Sequence, residues 1–170
     1  GINFDEDATN TSFFHVPPDP IGAVGPNHVV SVVNTSIEWH TKAGVEEHSE
    51  SLADFFTSLT PLTGTFDPKV IYDQFEDRFV VVTLERVDDG DGDNTADPDD
   101  VSRILLAVTD DSDPNGTGHL LSIDAKTTIG GIDHWADYPG FAVDEEAIYI
   151  TNNMFSFDTS SFGGVRLWIV

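Results

Sequence analysis

The stretch that decides the fold is "IYDQFEDRFVVVTL" (71–84), in which an apolar pair, a polar turn and an apolar-rich run follow one another. Two other stretches have the same form, "AVGPNHVVSVVN" (23–34) and "AVDEEAIYITNN" (142–153). Runs of β-branched and aromatic residues bounded by Gly, Pro, Asn and Asp predict strands. The three stretches therefore predict three copies of one unit. We expect Val30, Val80 and Ile148 at equivalent buried positions in it.

Strand signals cover most of the chain, and helical periodicity is nearly absent. Each of the three stretches continues into a second apolar run. Nine runs predict short strands, namely "HVVSVVN", "SIEWH", "KVIYD", "RFVVVTLE", "RILLAVT", "HLLSI", "GFAV", "AIYIT" and "VRLWIV". An irregular repeat with several strands per unit is typical of β-propeller blades. A β-sandwich whose hairpins resemble one another is the alternative.

We therefore expect an all-β fold, a β-propeller-like array of about three multi-stranded repeats with one short helix. The expected boundaries are an N-terminal extension at 1–17, repeat 1 with the helix at 18–66, repeat 2 at 67–132 and an incomplete repeat 3 at 133–170. The helix is predicted in "SESLADFFTSL", where Ser51 can cap it. Its apolar face would hold Leu52, Phe55, Phe56 and Leu59.

Three repeats are too few to close a propeller, which needs about four to eight blades. We expect the chain to be part of a larger propeller or to be completed by other copies of itself. Sheet edges without a neighbour are then expected near Val29–Val33 and near Val165–Val170.

Charge excludes several classes of partner. The 170 residues include 31 Asp and Glu against 7 Lys and Arg, a formal net charge of −24. Such a field repels nucleic acid and anionic membranes and attracts cations, although a halophilic protein would carry the same surplus without a specific partner. The sequence has no cysteine, and no window approaches the ~18 apolar residues of a membrane span. We expect neither nucleic-acid binding nor membrane insertion.

Four stretches carry a resemblance to a known group of proteins: "DPIGAVGPNHVVSVVN", "DPKVIYDQFEDRFVVV", "LLAVTDDSDPNGT" and "DYPGFAVDEEAIYITNN". They resemble repeats of large secreted bacterial β-propeller proteins, over roughly Pro18 to Val170. The resemblance implies a multi-bladed fold and an extracellular or cell-surface location. Proteins of this group often carry calcium-binding or sorting modules, and the resemblance is not tied to one activity.

An acidic insert, "DDGDGDNTADPDD" (88–100), has the spacing of a calcium loop. Counted from Asp89, its polar residues fall at positions 1, 3, 5, 7, 9 and 12 of the twelve-residue loop that binds calcium in other proteins. We expect it to connect two strands that pair as a hairpin, and a solvated loop without an ion is the alternative. The predicted metal ligands are Asp89, Asp91, Asp93, Thr95, Asp97 and Asp100.

The sequence evidence for a catalytic site is weaker than that for the calcium loop. His134 and Asp137 lie three residues apart, but a hydrogen-bonded structural histidine is the simpler reading. Carboxylates in "YDQFEDR" (72–78) could act as an acid–base pair, while a salt bridge from Arg78 within the turn is favoured. No nucleophile elbow, P-loop or dinucleotide fingerprint is present.

These observations predict a non-catalytic, calcium-binding module for adhesion, assembly or ligand binding, with a glycan among the candidate ligands. The alternative is a propeller-type hydrolase that acts on a glycan or an ester.

Overall fold

The computed structural model describes residues 2–88 and 98–170. Strands make up 56% and helices 9% of the chain, which confirms the all-β prediction. The strands are β1 (Ile21–Val24), β2 (His28–Val33), β3 (Ser36–Thr41), β4 (Glu46–Ser51), β5 (Thr65–Asp73), β6 (Arg78–Val87), β7 (Val101–Thr109), β8 (Gly118–Asp124), β9 (Thr127–Ile129), β10 (Ile132–Val143), β11 (Ile148–Ser156) and β12 (Phe162–Ile169).

The strands form three four-stranded antiparallel sheets, each built from consecutive strands in chain order: β1–β4, β5–β8 and β9–β12. We call them the first, second and third sheet. Short connections between consecutive strands favour this arrangement, because the chain turns back beside the strand that it has just formed. Each of the three aligned stretches supplies strands that pair in one sheet, as β1 with β2, β5 with β6 and β10 with β11.

Two apolar layers hold the sheets together, one between the first and second sheets and one between the second and third. The second sheet is therefore covered on both faces. Along β6, Val81 packs toward the first sheet, while Val80 and Val82 pack toward the third. Successive side chains of a strand point to opposite faces, so a strand buried on both faces is apolar at every position. This explains why "FVVV" does not alternate with polar residues.

All nine predicted strands are present, and β1, β4 and β9 were not predicted. β1 and β9 have only four and three residues. β4 consists of Glu, His and Ser residues, "EEHSES", and so gives no apolar signal. Its hydrogen bonds to β3 hold it in the sheet.

The predicted equivalence of three residues is wrong by one position. Val30, Val80 and Ile148 are all buried, at 1%, 0% and 9% exposure, and lie on the second strands of the aligned pairs. The first residues of the three aligned stretches are Ala23, Ile71 and Ala142. They pair across the sheet with Val30, Val80 and Tyr149, so the counterpart in the third sheet is Tyr149 and not Ile148. A shift of one residue moves a side chain to the other face of a sheet, so Ile148 packs back toward the second sheet.

The predicted helix is short. Ser51 caps it by accepting a hydrogen bond from the Asp54 amide, as expected, but α2 spans only Leu52–Phe55, and a 3-10 turn (Thr57–Leu59) follows. Leu52 and Phe56 are fully buried. A second helix, α1 (Phe4–Thr11), was not predicted. In the described ranges, no helix has the length and apolarity needed to cross a bilayer.

One of the two predicted edges is wrong. Val29–Val33 belongs to β2, which pairs with β1 on one side and β3 on the other. Val165–Val170 does lie at an edge, because β12 is the last strand of the third sheet and pairs with β11.

The contact between the first and second sheets predicts the effect of a glycine substitution. A Cβ on Gly25 would lie 2.7 Å from Phe79 Cζ and 2.9 Å from Tyr72 Cε2, and Phe79 is buried at 1% exposure. We expect Gly25→Ala to destabilise the fold by about 1–3 kcal/mol through overpacking, measured by urea denaturation. Gly64→Ala is the control, because a Cβ there meets no atom within 4 Å. Equal stabilities of the two variants would contradict this packing.

Candidate functional site

The three sheets share one backbone irregularity, a residue with positive φ followed by proline. It occurs at Asp19–Pro20 before β1, at Asp67–Pro68 in β5 and at Tyr138–Pro139 in β10, with φ values of 43°, 50° and 43°. In β5 and β10 the pairing register shifts at this dipeptide. Non-glycine residues rarely adopt such φ values, and strained backbone of this kind clusters at functional sites.

The irregularity brings carboxylates of neighbouring sheets together. Strand β5 contacts both β1 and β10, and the carboxyl groups of Asp67 on β5 and Asp137 on β10 interact with each other. Burial raises the pKa of Asp67, and the negative charges of Asp137 and Asp19 raise it further. Burial also raises the pKa of Asp137. Two carboxylates in contact do not ionise easily together, so the contact favours a protonated carboxyl group in the pair.

A groove of about 430 Å³ lies beside the pair, between β1, β5 and β10. Its lining is mainly apolar, with Lys69 as its cationic residue. The Lys69 ammonium lies 4.7 Å from the centre of the Tyr138 ring, a cation–π contact that holds the side chain in place. The lining residues are Ile21, Lys69, Val70, Ile71, Tyr138, Pro139, Gly140 and Phe141.

The sequence held a signal for this arrangement. Each of the three aligned stretches begins three residues after the proline of a D-P, D-P or Y-P dipeptide, at Pro20, Pro68 and Pro139. The spacing marks equivalent positions before the structure is known. It does not show that the carboxylates of Asp67 and Asp137 meet, because that contact depends on how two sheets pack.

Most of the predicted calcium ligands lie outside the described residues, namely Asp89, Asp91, Asp93, Thr95 and Asp97. Asp100 is described and is buried at 2% exposure, and its main-chain oxygen accepts a hydrogen bond from Lys126 Nζ at 3.1 Å. The hairpin is confirmed, since Val87 pairs with Val101. The calcium site itself stays a prediction.

His134 and Asp137 are not brought together. They are three residues apart on β10, so their side chains point to opposite faces of the sheet. His134 is buried at 4% exposure, and its Nδ1 donates a hydrogen bond to the Ile132 carbonyl at 2.8 Å. Its ring also packs on the backbone of Gly163. The prediction of a hydrogen-bonded structural histidine is confirmed.

The carboxylates of the turn at 72–78 also have a structural role. Asp73 is buried at 2% exposure and accepts hydrogen bonds from the Phe75 and Glu76 amides at 3.0 and 3.3 Å. Arg78 Nε lies 3.3 Å from the same carboxylate. The predicted salt bridge within the turn is confirmed, and it closes the β5–β6 hairpin.

One face of the third sheet carries an exposed aliphatic row on its edge strand, β12. Val165, Leu167 and Ile169 alternate along β12 and are 62%, 56% and 64% exposed. Their cross-strand partners on β11 are Asn153, Thr151 and Tyr149. The other face of β12 turns Trp168 toward the second sheet. We call the exposed side, away from the second sheet, the free face.

Comparison with known proteins gives no identification. No family model matches the chain, and no curated protein matches it significantly. The resemblance to secreted β-propeller proteins therefore stays an expectation, and the sites have to be judged by their geometry.

The raised pKa of Asp67 predicts a pH dependence of stability. The ordinary pKa of the carboxyl group is 3.8, and that of Asp67 is raised in the folded protein. Between the ordinary pKa and the raised pKa, the folded state binds more protons than the unfolded state. The free energy of unfolding therefore falls as pH rises through this range. An asparagine at position 67 would keep a neutral donor at every pH and tolerates positive φ. We expect Asp67→Asn to be more stable than wild type at neutral pH and equal to it below pH ~3.

Asp144→Asn is the control with the opposite sign. Hydrogen bonds from the Glu146 amide, the Tyr149 hydroxyl and the Ala147 amide lower the pKa of Asp144. Its contribution to stability is present above the ordinary pKa and is lost as pH falls through the lowered one. Asp144→Asn should be less stable than wild type at neutral pH, with the difference vanishing in acid. Urea denaturation across pH measures both, and an Asp67→Asn variant that loses stability at neutral pH would contradict the raised pKa of Asp67.

Proposed function

We propose that the chain is a non-catalytic assembly module of the β-propeller type, which associates with a second copy of itself through the free face of the third sheet. The observation that carries this proposal is the exposed aliphatic row Val165, Leu167 and Ile169 on β12. Contiguous exposed apolar patches on soluble proteins mark interaction sites.

The internal repeat supports this use of the face. Val30 of the first sheet faces the second sheet, and Val80 of the second sheet faces the third. Each of these side chains is covered by the sheet that it faces. Their counterpart in the third sheet is Tyr149, which pairs with Ile169 on the free face. The chain twice buries this face against another sheet, so a further sheet is the partner whose shape and chemistry fit it.

Charge favours the same face as the meeting point of two copies. At a net charge of −24, two chains repel each other over most of their surfaces. Residues 161–170 contain no acidic residue, and Arg166 is their one charged side chain. Repulsion between copies is therefore smallest where β12 meets its counterpart.

A two-fold arrangement fits better than a head-to-tail one. In a head-to-tail contact, the free face would have to pack against the outer face of the first sheet. That surface combines the polar residues Ser31, Glu38 and His40 with Val24 and Val29. Helix α1 lies across its strands β3 and β4. In a two-fold contact, each apolar face meets its own copy, which is self-complementary.

The size of the face sets the expected affinity. Strands lie about 4.8 Å apart and rise about 3.3 Å per residue. The three long strands of the third sheet then offer roughly 400–500 Å² per copy, or roughly 1,000 Å² in total. Interfaces of this size lie at the lower end of specific association. We expect a dimer that forms at micromolar or higher concentration.

The hydrolase alternative is less well supported. Enzymes that hydrolyse glycosides with two carboxylates hold them about 5–9.5 Å apart, so that a sugar or a water fits between them. Asp67 and Asp137 instead interact directly with each other. An extracellular location remains part of the proposal on the resemblance alone.

The proposal predicts that one charged substitution on the free face abolishes self-association. Val165→Glu would place a carboxylate in each of the two facing sheets, where it would be desolvated beside its symmetry mate. We expect sedimentation analysis to show a dimer for wild type at tens of micromolar and a monomer for the variant. Val45→Glu is the matched control, because Val45 is 58% exposed in the β3–β4 turn and Val165 is 62% exposed.

Two results would contradict the assembly proposal. One is a wild-type chain that sediments as a monomer at every concentration. The other is equal weakening of the dimer by Val45→Glu and Val165→Glu, which would show an effect of total charge and not of the free face.

Calcium binding by the acidic loop is the second part of the proposed function. The confirmed β6–β7 hairpin brings the two ends of the loop together at Val87 and Val101. A ligand that binds the folded state alone stabilises it by mass action, by about 2.7 kcal/mol at 100 times its Kd. We expect calcium to raise the melting temperature, magnesium to do so less, and the double variant Asp91→Asn with Asp93→Asn to lose the effect. Melting that is unchanged by calcium would contradict the site.

A further inference from the structure

The outer face of the first sheet carries a second group of possible ligands, distant in sequence from the acidic loop. Glu38, His40 and Glu46 each offer one ligand atom, and these three atoms lie within 4.8 Å of one another. A histidine is part of the group, so it differs from a simple concentration of acidic side chains.

The sheet itself builds this group. Glu38 and His40 are two residues apart on β3, which places both on one face of the strand. Glu46 lies on β4 directly opposite His40, because the register shifts between Trp39 and His40. Without this bulge, Glu47 would lie opposite His40. Bulges re-aim side chains and are over-represented beside functional sites.

Two of the three ligand atoms are already in contact, as an ion pair. Glu38 is buried, with 1% of its side chain exposed, and its Oε1 lies 3.1 Å from His40 Nδ1. Ligand atoms at about 2.0–2.2 Å from a metal lie about 3–3.6 Å from one another. The Glu38–His40 pair already has that spacing. Glu46 is exposed, so its side chain can move to close the third position.

We propose that Glu38, His40 and Glu46 bind one first-row divalent transition-metal ion, such as Zn²⁺ or Mn²⁺. The chemistry of the ligands selects this class. Imidazole suits zinc, iron, nickel and copper, and carboxylates extend the range to manganese, whereas calcium prefers oxygen ligands throughout. Three protein ligands leave at least one coordination position for water.

The site is open to solvent at one end. Helix α1 covers the part of this face beside Glu38, where Asp7 accepts a hydrogen bond from Ser36 Oγ at 2.7 Å and Asn10 Nδ2 donates to Ser49 Oγ, opposite Glu38, at 3.0 Å. His40 keeps 20% of its side chain exposed, and Glu46 is exposed. An ion can therefore enter beside Glu46, and the net charge of −24 raises the local concentration of cations.

The test is metal titration of the full chain after treatment with a chelator. Co²⁺ serves as the probe because its visible absorption reports coordination by imidazole, and Zn²⁺ binding is followed by calorimetry. Excess calcium is present throughout to occupy sites made of oxygen ligands. We expect one ion per chain, and we expect His40→Gln and Glu46→Gln each to weaken binding about tenfold or more. Glu38 is left unchanged because it is buried.

Glu50→Gln is the matched control. His48 Nε2 lies 2.8 Å from Glu50 Oε1, so the same sheet contains a second histidine–glutamate pair at the same spacing along a strand. His48 stacks on Trp39 with ring centres 3.8 Å apart, on the opposite face. Loss of this carboxylate should leave metal binding unchanged.

Three results would overturn the proposal: no Co²⁺ or Zn²⁺ binding below millimolar concentration, wild-type affinity in both ligand variants, or equal losses in Glu50→Gln and Glu46→Gln. Far-UV circular dichroism of each variant establishes that the fold is retained. Neither His40 nor Glu46 lies in the protein core, so their replacement leaves the apolar layers intact.

Discussion

Burial of the second sheet on both faces is the constraint on which the rest of the structure depends. Val80, Val81 and Val82 lie in succession on β6, and each is at most 4% exposed. Such a strand has no polar side, so it needs one sheet in front of it and another behind. The first and third sheets meet this need, and their positions bring the strained dipeptides of β5 and β10 together.

A buried ion pair fixes how the chain passes from the first sheet to the second. Glu85 is fully buried in β6, and Arg103 Nε of β7 lies 2.6 Å from its carboxylate. The same carboxylate accepts hydrogen bonds from the amides of Leu62 and Thr63, and Arg103 donates to the Thr60 carbonyl at 3.1 Å. The connection is thereby tied to the middle sheet, and removal of one partner would leave a buried charge uncompensated.

The sequence predicted features with a local cause. Apolar β-branched runs predicted nine strands, and the Ser51 cap predicted α2. It missed β4, whose Glu, His and Ser residues are held by hydrogen bonds to a neighbour, and α1, whose capping box of Asn3 and Glu6 was not recognised. It also misplaced the counterpart of Val30 and Val80 by one residue. The pairing of Asp67 with Asp137 and the group of Glu38, His40 and Glu46 depend on sheet packing and on a bulge, which residue patterns do not encode.

The two outer surfaces of the three-sheet array differ in chemistry, and this difference determines what each can do. The first sheet turns polar side chains outward and is partly covered by α1, so it needs no further sheet and can hold ionisable groups close to water. The third sheet turns Val165, Leu167 and Ile169 outward. Burial of these side chains in an interface is favourable by roughly 25 cal/mol per Å² of apolar surface. If the three repeats were identical, both ends of the array would expose the same kind of surface. This difference is the reason why we propose association through the third sheet and ligand binding on the first.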